Sequence, residues 1–122
     1  MTGRSPYDTT RYHEDTFDDV LGYLIESYAW NTGATVIVMS GRDEQFKPET
    51  VKWLRDNDFA YDHIFMRPIG DTRNDAIVKN ELFENYIAGR YNVDFVLDDR
   101  NRVVAMWRAK GLKVLQVAEG NF

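Results

Sequence analysis

The apolar residues of this chain fall into blocks that alternate between helical and extended spacing. Residues 15–31 set Phe17, Val20, Leu21, Leu24, Ile25 and Tyr28 three and four apart, which is one face of a helix. Asp15 or Thr16 serves as its N-cap, and Gly33 stands where such a helix should stop. Residues 35–39 then read T-V-I-V-M, a β-branched run without alternation, ended by Ser40-Gly41-Arg42. A strand with no polar face is covered on both sides, as in a parallel sheet. Pro48 opens a second helix, P-E-T-V-K-W-L-R-D-N, with Val51, Trp53 and Leu54 inward. H-I-F-M at 63–66 is a short strand closed by Arg67-Pro68. Residues 72–90 form a third helix, burying Ile77, Val78, Leu82, Phe83, Tyr86 and Ile87. V-D-F-V-L at 93–97 is the third strand, 103–110 a helix with Val104, Met106 and Trp107, and 113–117 the last strand. Residues 1–15 are polar and turn-rich and read as an ordered loop. Strands alternating with helices predict a single α/β domain with a mostly parallel sheet and right-handed crossovers.

Composition narrows the chemistry. With 122 residues, 43% of them hydrophobic, the chain can bury one core. It has no cysteine, which excludes disulfides and thiolate metal sites. No apolar run is long enough to span a bilayer and no secretory leader is visible, so a cytoplasmic protein is expected. A net charge of −5 gives no general attraction to nucleic acid, so any polyanion needs a local basic patch.

Three polar clusters fall at strand ends or at a helix start. Ser40-Gly41-Arg42 offers a hydroxyl, a permissive backbone and a guanidinium, a set that suits a phosphate. Asp98-Asp99-Arg100 follows the third strand, and adjacent carboxylates there call for a hard cation such as magnesium. Between them, G-D-T-R-N-D-A-I-V-K carries Asp71, Arg73, Asp75 and Lys79. Each has a plainer reading: Asp75 and Lys79, four apart, as a surface ion pair, Ser-Gly as a turn, and Asp98-Asp99 as a helix cap. Together, in this order on an α/β chain, they favour a phosphate-and-magnesium site. His13 and His63 are not spaced as ligands, and Trp30, Trp53 and Trp107 read as core.

These motifs resemble those of the haloacid dehalogenase (HAD) superfamily, whose later motifs are a strand-Ser, a helical Lys and a strand-Asp-Asp. G-R-S-P-Y-D, V-I-V-M-S-G-R, G-D-T-R-N-D-A-I-V-K, L-D-D-R-N-R-V-V-A-M-W-R and Q-V-A-E-G-N-F are similar to the phosphatase domain of bacteriophage polynucleotide kinase–3′-phosphatases. The resemblance runs from about the first residue to the last. It implies a HAD-like α/β/α fold and magnesium-dependent removal of 3′-phosphates from nucleic acid ends. Ser40 would bond the transferring phosphoryl group, Lys79 would neutralise it, and Asp98 and Asp99 would hold magnesium. Arg4 and Arg42 would contact the terminal phosphate with Gly41 beside them, and Asp75 would orient Lys79 or an arginine.

The family's first motif, D-x-D-G-T at the end of a central strand, has no counterpart here. The chain opens with Met1-Thr2-Gly3-Arg4, so that strand and its nucleophilic Asp are expected to lie upstream and the chain alone to be inactive. A kinase domain or a second chain supplying the strand are the expected partners. The alternative is a non-catalytic module that binds phosphate, nucleic acid ends or a protein partner. Without the strand, the runs at 35–39 and 93–97 should either pair directly or be bridged by another chain.

Overall fold

The computed structural model describes residues 18–122. Helix α1 spans Asp19–Thr32, strand β1 Ile37–Asp43 and helix α2 Lys47–Asp56; β2 is His63–Arg67 and α3 Asp75–Tyr86. Strand β3 is Val96–Asp98, α4 Asn101–Ala109 and β4 Val114–Gln116. The α/β order expected from the sequence is present, but several boundaries differ. Asp18, rather than Asp15 or Thr16, caps α1, its carboxylate accepting from the Leu21 N–H at 3.0 Å. Gly33 closes that helix in the left-handed conformation at φ 74°, which costs glycine little. The third helix starts at Asp75 instead of residue 72 because Asn74 accepts from the Ala76 N–H and caps it there.

Strand β1 pairs in parallel with β2, and β3 in parallel with β4. Among the described residues these are two separate two-stranded sheets, so β1 and β3 do not pair directly as one expectation had it. Side chains packed on both faces join them. On one face Met39, Val96, Leu82 and Trp107 join α3 and α4 to both sheets. On the other, Val36, Val38, Leu97, Ile25 and Leu54 do the same for α1 and α2. Burial of each such side chain contributes about 1.5–3 kcal/mol. An apolar cleft of about 240 Å³ runs between β1 and β3, with Ile37, Met39, Phe95 and Leu97 among its walls.

Helix α1 is the element that packs least as its pattern suggests. Ile25 is buried, but Val20 is 70% and Leu24 56% exposed. Trp30, read as core, is 88% exposed, whereas Trp53 packs half-buried against the core and Trp107 lies within it.

Candidate functional site

The sites named from sequence converge at the carboxyl ends of β1 and β3, the edge at which open parallel sheets place their ligands. Strand β1 does not stop at Met39: it runs on through Ser40, Gly41 and Arg42 to Asp43. Its pairing with β2 slips between Ser40 and Asp43, which leaves Gly41 and Arg42 as an irregularity at the strand end. Ser40 is fully buried, and its Oγ accepts from the Arg42 N–H at 3.1 Å, leaving its own proton free to be donated. Gly41 packs against the Asp75 carboxylate so closely that a Cβ would overlap Oδ1. The Arg42 guanidinium lies 4.6 Å from the Phe46 ring centroid and donates to the Thr50 hydroxyl.

Asp75 and Lys79 occupy the first turns of α3, where a spacing of four puts them on one face. They are not the solvated pair that a surface reading expects: the Lys79 side chain is 1% exposed and that of Asp75 7%. Lys79 Nζ stands 3.7 Å from Asp75 Oδ2 and 3.5 Å from Asp98 Oδ2, which bridges α3 to the end of β3. Arg100 Nη1 reaches the same Asp75 oxygen at 3.2 Å, and Arg67 Nη2 takes Oδ1 at 3.3 Å. Asp75 is therefore a hub for three cations.

Asp98 is held from every side. Its Oδ1 accepts from the Asp99 and Arg100 N–H groups at 2.8 and 3.3 Å, a turn ahead of α4 rather than the expected helix cap, since Arg100 is the N-cap and no side chain bonds there. Its Oδ2 accepts from Trp107 Nε1 at 3.3 Å. Asp99 beside it is half-buried, and burial first, then the Asp98 charge, push its carboxyl above the usual range. The C-terminal residues close over this turn: Gly120 lies so near the Asp99 carbonyl that a Cβ would collide with it, and its own carbonyl accepts from Asn101 N–H at 2.7 Å.

Asp98 and Asp99 together offer a donor set of the kind a divalent cation takes. Two adjacent carboxylates supply hard oxygens, and the strain on Asp99 is what a cation would relieve. No cluster of three metal-binding side chains occurs among the described residues, so Asp98 and Asp99 would hold magnesium with water or groups from outside this set. Magnesium keeps several waters readily.

Arg4 lies outside the described residues, as does His13. His63 stacks near Phe65, away from any acid cluster. Arg73 is half-exposed and bonded to Asp71 and Glu81. Arg67 is the residue that sequence reasoning passed over, treating it only as the end of a strand. Its place as the polar residue at a strand's carboxyl end, like Ser40 and Asp98, was the available signal. The apolar cleft between β1 and β3 is a separate feature that none of the charged groups lines, apart from Asp94 at its mouth.

A family model described as polynucleotide kinase PNKP phosphatase domain matches residues 1–122. A curated relative from Autographa californica nuclear polyhedrosis virus, described as a bifunctional polynucleotide kinase/RNA ligase, is 43% identical over 76 residues. That match covers 62% of this chain and 11% of the viral protein. Two solved chains, one from the Pnkp1/Rnl/Hen1 RNA repair complex and one from a Pnkp1/Rnl/Hen1 complex, superpose with TM-scores of 0.88 at 38% identity. Each superposition covers 98% of this chain but only 39% and 41% of the solved ones. Among the described residues no helix is long and apolar enough to cross a membrane.

Proposed function

Because the chain belongs to the polynucleotide kinase PNKP phosphatase domain family, we propose that it is the phosphate-binding body of a HAD-type polynucleotide 3′-phosphatase. The observation that carries this reading is the buried Lys79 amine, set between Asp75 and Asp98 at the strand ends. A buried lysine between two carboxylates, with the Ser40 hydroxyl at the neighbouring strand end, is arranged for a dianion that brings its own charge. Arg67, Lys79 and Arg100 meet Asp75, Lys79 also meets Asp98, and Arg42 is buried at the adjoining strand end, so a phosphate enters a site well supplied with cations. Ser40 donates to one phosphoryl oxygen and Lys79 neutralises another. Arg42, with Gly41 beside it and Arg4 from the N-terminal segment, takes the rest of the terminal phosphate. Asp75 keeps Lys79 in place. Magnesium, held by Asp98 and Asp99, would add Lewis-acid stabilisation of the phosphoryl charge. These groups act by positioning and charge, which is most of what phosphoryl transfer needs from a protein.

The nucleophile is not among them. The sequence contains no D-x-D-G-T, and the domain is proposed to be short of the family by its first central strand. A two-step mechanism through an aspartyl-phosphate has no first step without that aspartate. The cleft between β1 and β3 supports this reading, since, among the described residues, it lies along the unpaired sides of both strands and is walled by Ile37, Met39, Val96 and Leu97. The strand is proposed to come from upstream sequence or a second chain, and a kinase or ligase domain to accompany it. The same cleft favours a second reading, a non-catalytic module that binds phosphate, nucleic acid ends or a partner chain. One assay separates them. The chain alone, given a 3′-phosphorylated oligonucleotide and magnesium, should bind and release no phosphate, and should gain turnover when an upstream strand ending in D-x-D-G-T is fused to it. Failure of the fused form to turn over favours the non-catalytic module. Turnover by the chain alone that vanishes in Asp98→Ala would overturn both.

A further inference from the structure

We propose that Arg67 is a positioning residue for this site, fixing Asp75 so that Lys79 stays over Asp98; this rests on the phosphate-pocket reading above. Arg67 ends β2, its side chain is 14% exposed, and all three guanidinium nitrogens are engaged. Nε donates to the Gly41 carbonyl at 2.6 Å, standing in for a ladder bond where the β1–β2 register slips. Nη1 donates to the carbonyls of Asp71 and Arg73 at 3.1 and 2.6 Å, and Nη2 to Asp75 Oδ1 at 3.3 Å. One planar group thus ties together the end of β1, the loop before α3 and the first residue of α3.

The division of the Asp75 carboxylate is the functional point. Arg67 meets Oδ1, while Lys79 and Arg100 both meet Oδ2. Without Arg67, Arg100 could claim both oxygens in the two-pronged geometry that arginine favours, and Asp75 would turn away from Lys79. Gly41 adds a second constraint, because the carboxylate lies against its Cα. A lysine at position 67 keeps the charge but not the fork, and one ammonium cannot reach four acceptors spread around a plane. Arg67→Lys should therefore behave as a loss rather than a conservative change. Four of the five Arg67 N–H donors are engaged within the protein, so its effect passes chiefly through Asp75 and Lys79.

The test uses the full chain labelled at lysine Cε, with Arg67→Lys, Arg67→Gln and the exposed control Arg55→Lys. In ligand-free protein the Lys79 signal should move toward that of solvated lysines in both Arg67 variants and stay put in the control. Inorganic phosphate, titrated by NMR, should bind about tenfold more weakly to both, the scale of one lost charge-assisted contact. An unmoved Lys79 signal in folded Arg67→Lys, with phosphate affinity within about twofold of the parent, would overturn the proposal. So would failure of both variants to fold, which would make Arg67 a structural residue only. If the parent chain binds no phosphate, the pocket reading fails, and the ligand-free Lys79 signal alone decides the role of Arg67.

Discussion

Lys79 Nζ and Asp98 Oδ2 lie 3.5 Å apart, with both side chains 1% exposed. A charge that deeply covered persists only with a partner, and this contact joins α3, which follows the first sheet, to the end of β3 in the second. The chemistry of the site and the cohesion of the two half-sheets therefore share one contact.

Removing one side of that contact should be costly. Lys79→Met leaves Asp75 and Asp98 buried and facing each other without their shared cation, and should cost about 3–5 kcal/mol in urea unfolding. Adding Asp98→Asn to it should recover part of the loss, because the stranded charge goes too. A cost below about 1 kcal/mol for Lys79→Met would show that the pair is solvated in solution.

Gly41→Ala tests the close approach of Asp75. The new methyl must displace the carboxylate, so stability should fall by about 1–3 kcal/mol. Gly41→Ala combined with Asp75→Ala should be no worse than Asp75→Ala alone, since the clash has been removed. Strictly additive losses across that double-mutant cycle would mean that the carboxylate does not rest on Gly41.

Much of this site was legible because strand ends announce themselves. Ser40, Asp98 and Asp99 each follow an apolar run, and the four-residue step from Asp75 to Lys79 survives any error in helix boundaries. What the pattern could not show was burial. Asp75 and Lys79 look like any exposed ion pair until Arg67 and Asp98, distant in sequence, are brought onto them. The α1 stripe failed for the converse reason: Val20 and Leu24 have the spacing of a buried face, but spacing says nothing about whether a surface is there to receive it. Trp30 misled in the same way, because a large aromatic near an apolar face is usually covered.

The acid limb of stability should carry the mark of Asp71. Hydrogen bonds from Arg73 above all, then its charge and that of Arg67, hold this carboxyl down to about 2 from an ordinary 3.8. A depressed folded value means stability that is present above pH 3.8 and is lost as pH falls towards 2. Asp71→Asn should therefore lower the melting temperature at pH 6 and flatten its decline between those limits. A variant whose acid limb runs parallel to that of the parent would assign the depression to other groups.

The free edges of β1 and β3 make the last prediction. Among the described residues each strand pairs on one side only, β1 with β2 and β3 with β4, while apolar side chains line the space between. Unpaired backbone donors buried in such a space are costly, and open edges also invite association with other chains. In the chain alone, amides on alternate residues of 37–40 and 96–98 should exchange with solvent as fast as loop amides, while their neighbours are protected by the existing ladders. Fusing an extended apolar segment ending in D-x-D-G-T ahead of Met1 should protect both sets together. It should also cover Val20 and Leu24, and raise stability by several kcal/mol, since four or five residues would gain hydrogen bonds on two sides at once. Uniform protection of both strands in the isolated monomer would mean that the cleft is already closed, and the reading of a missing strand would fall with it.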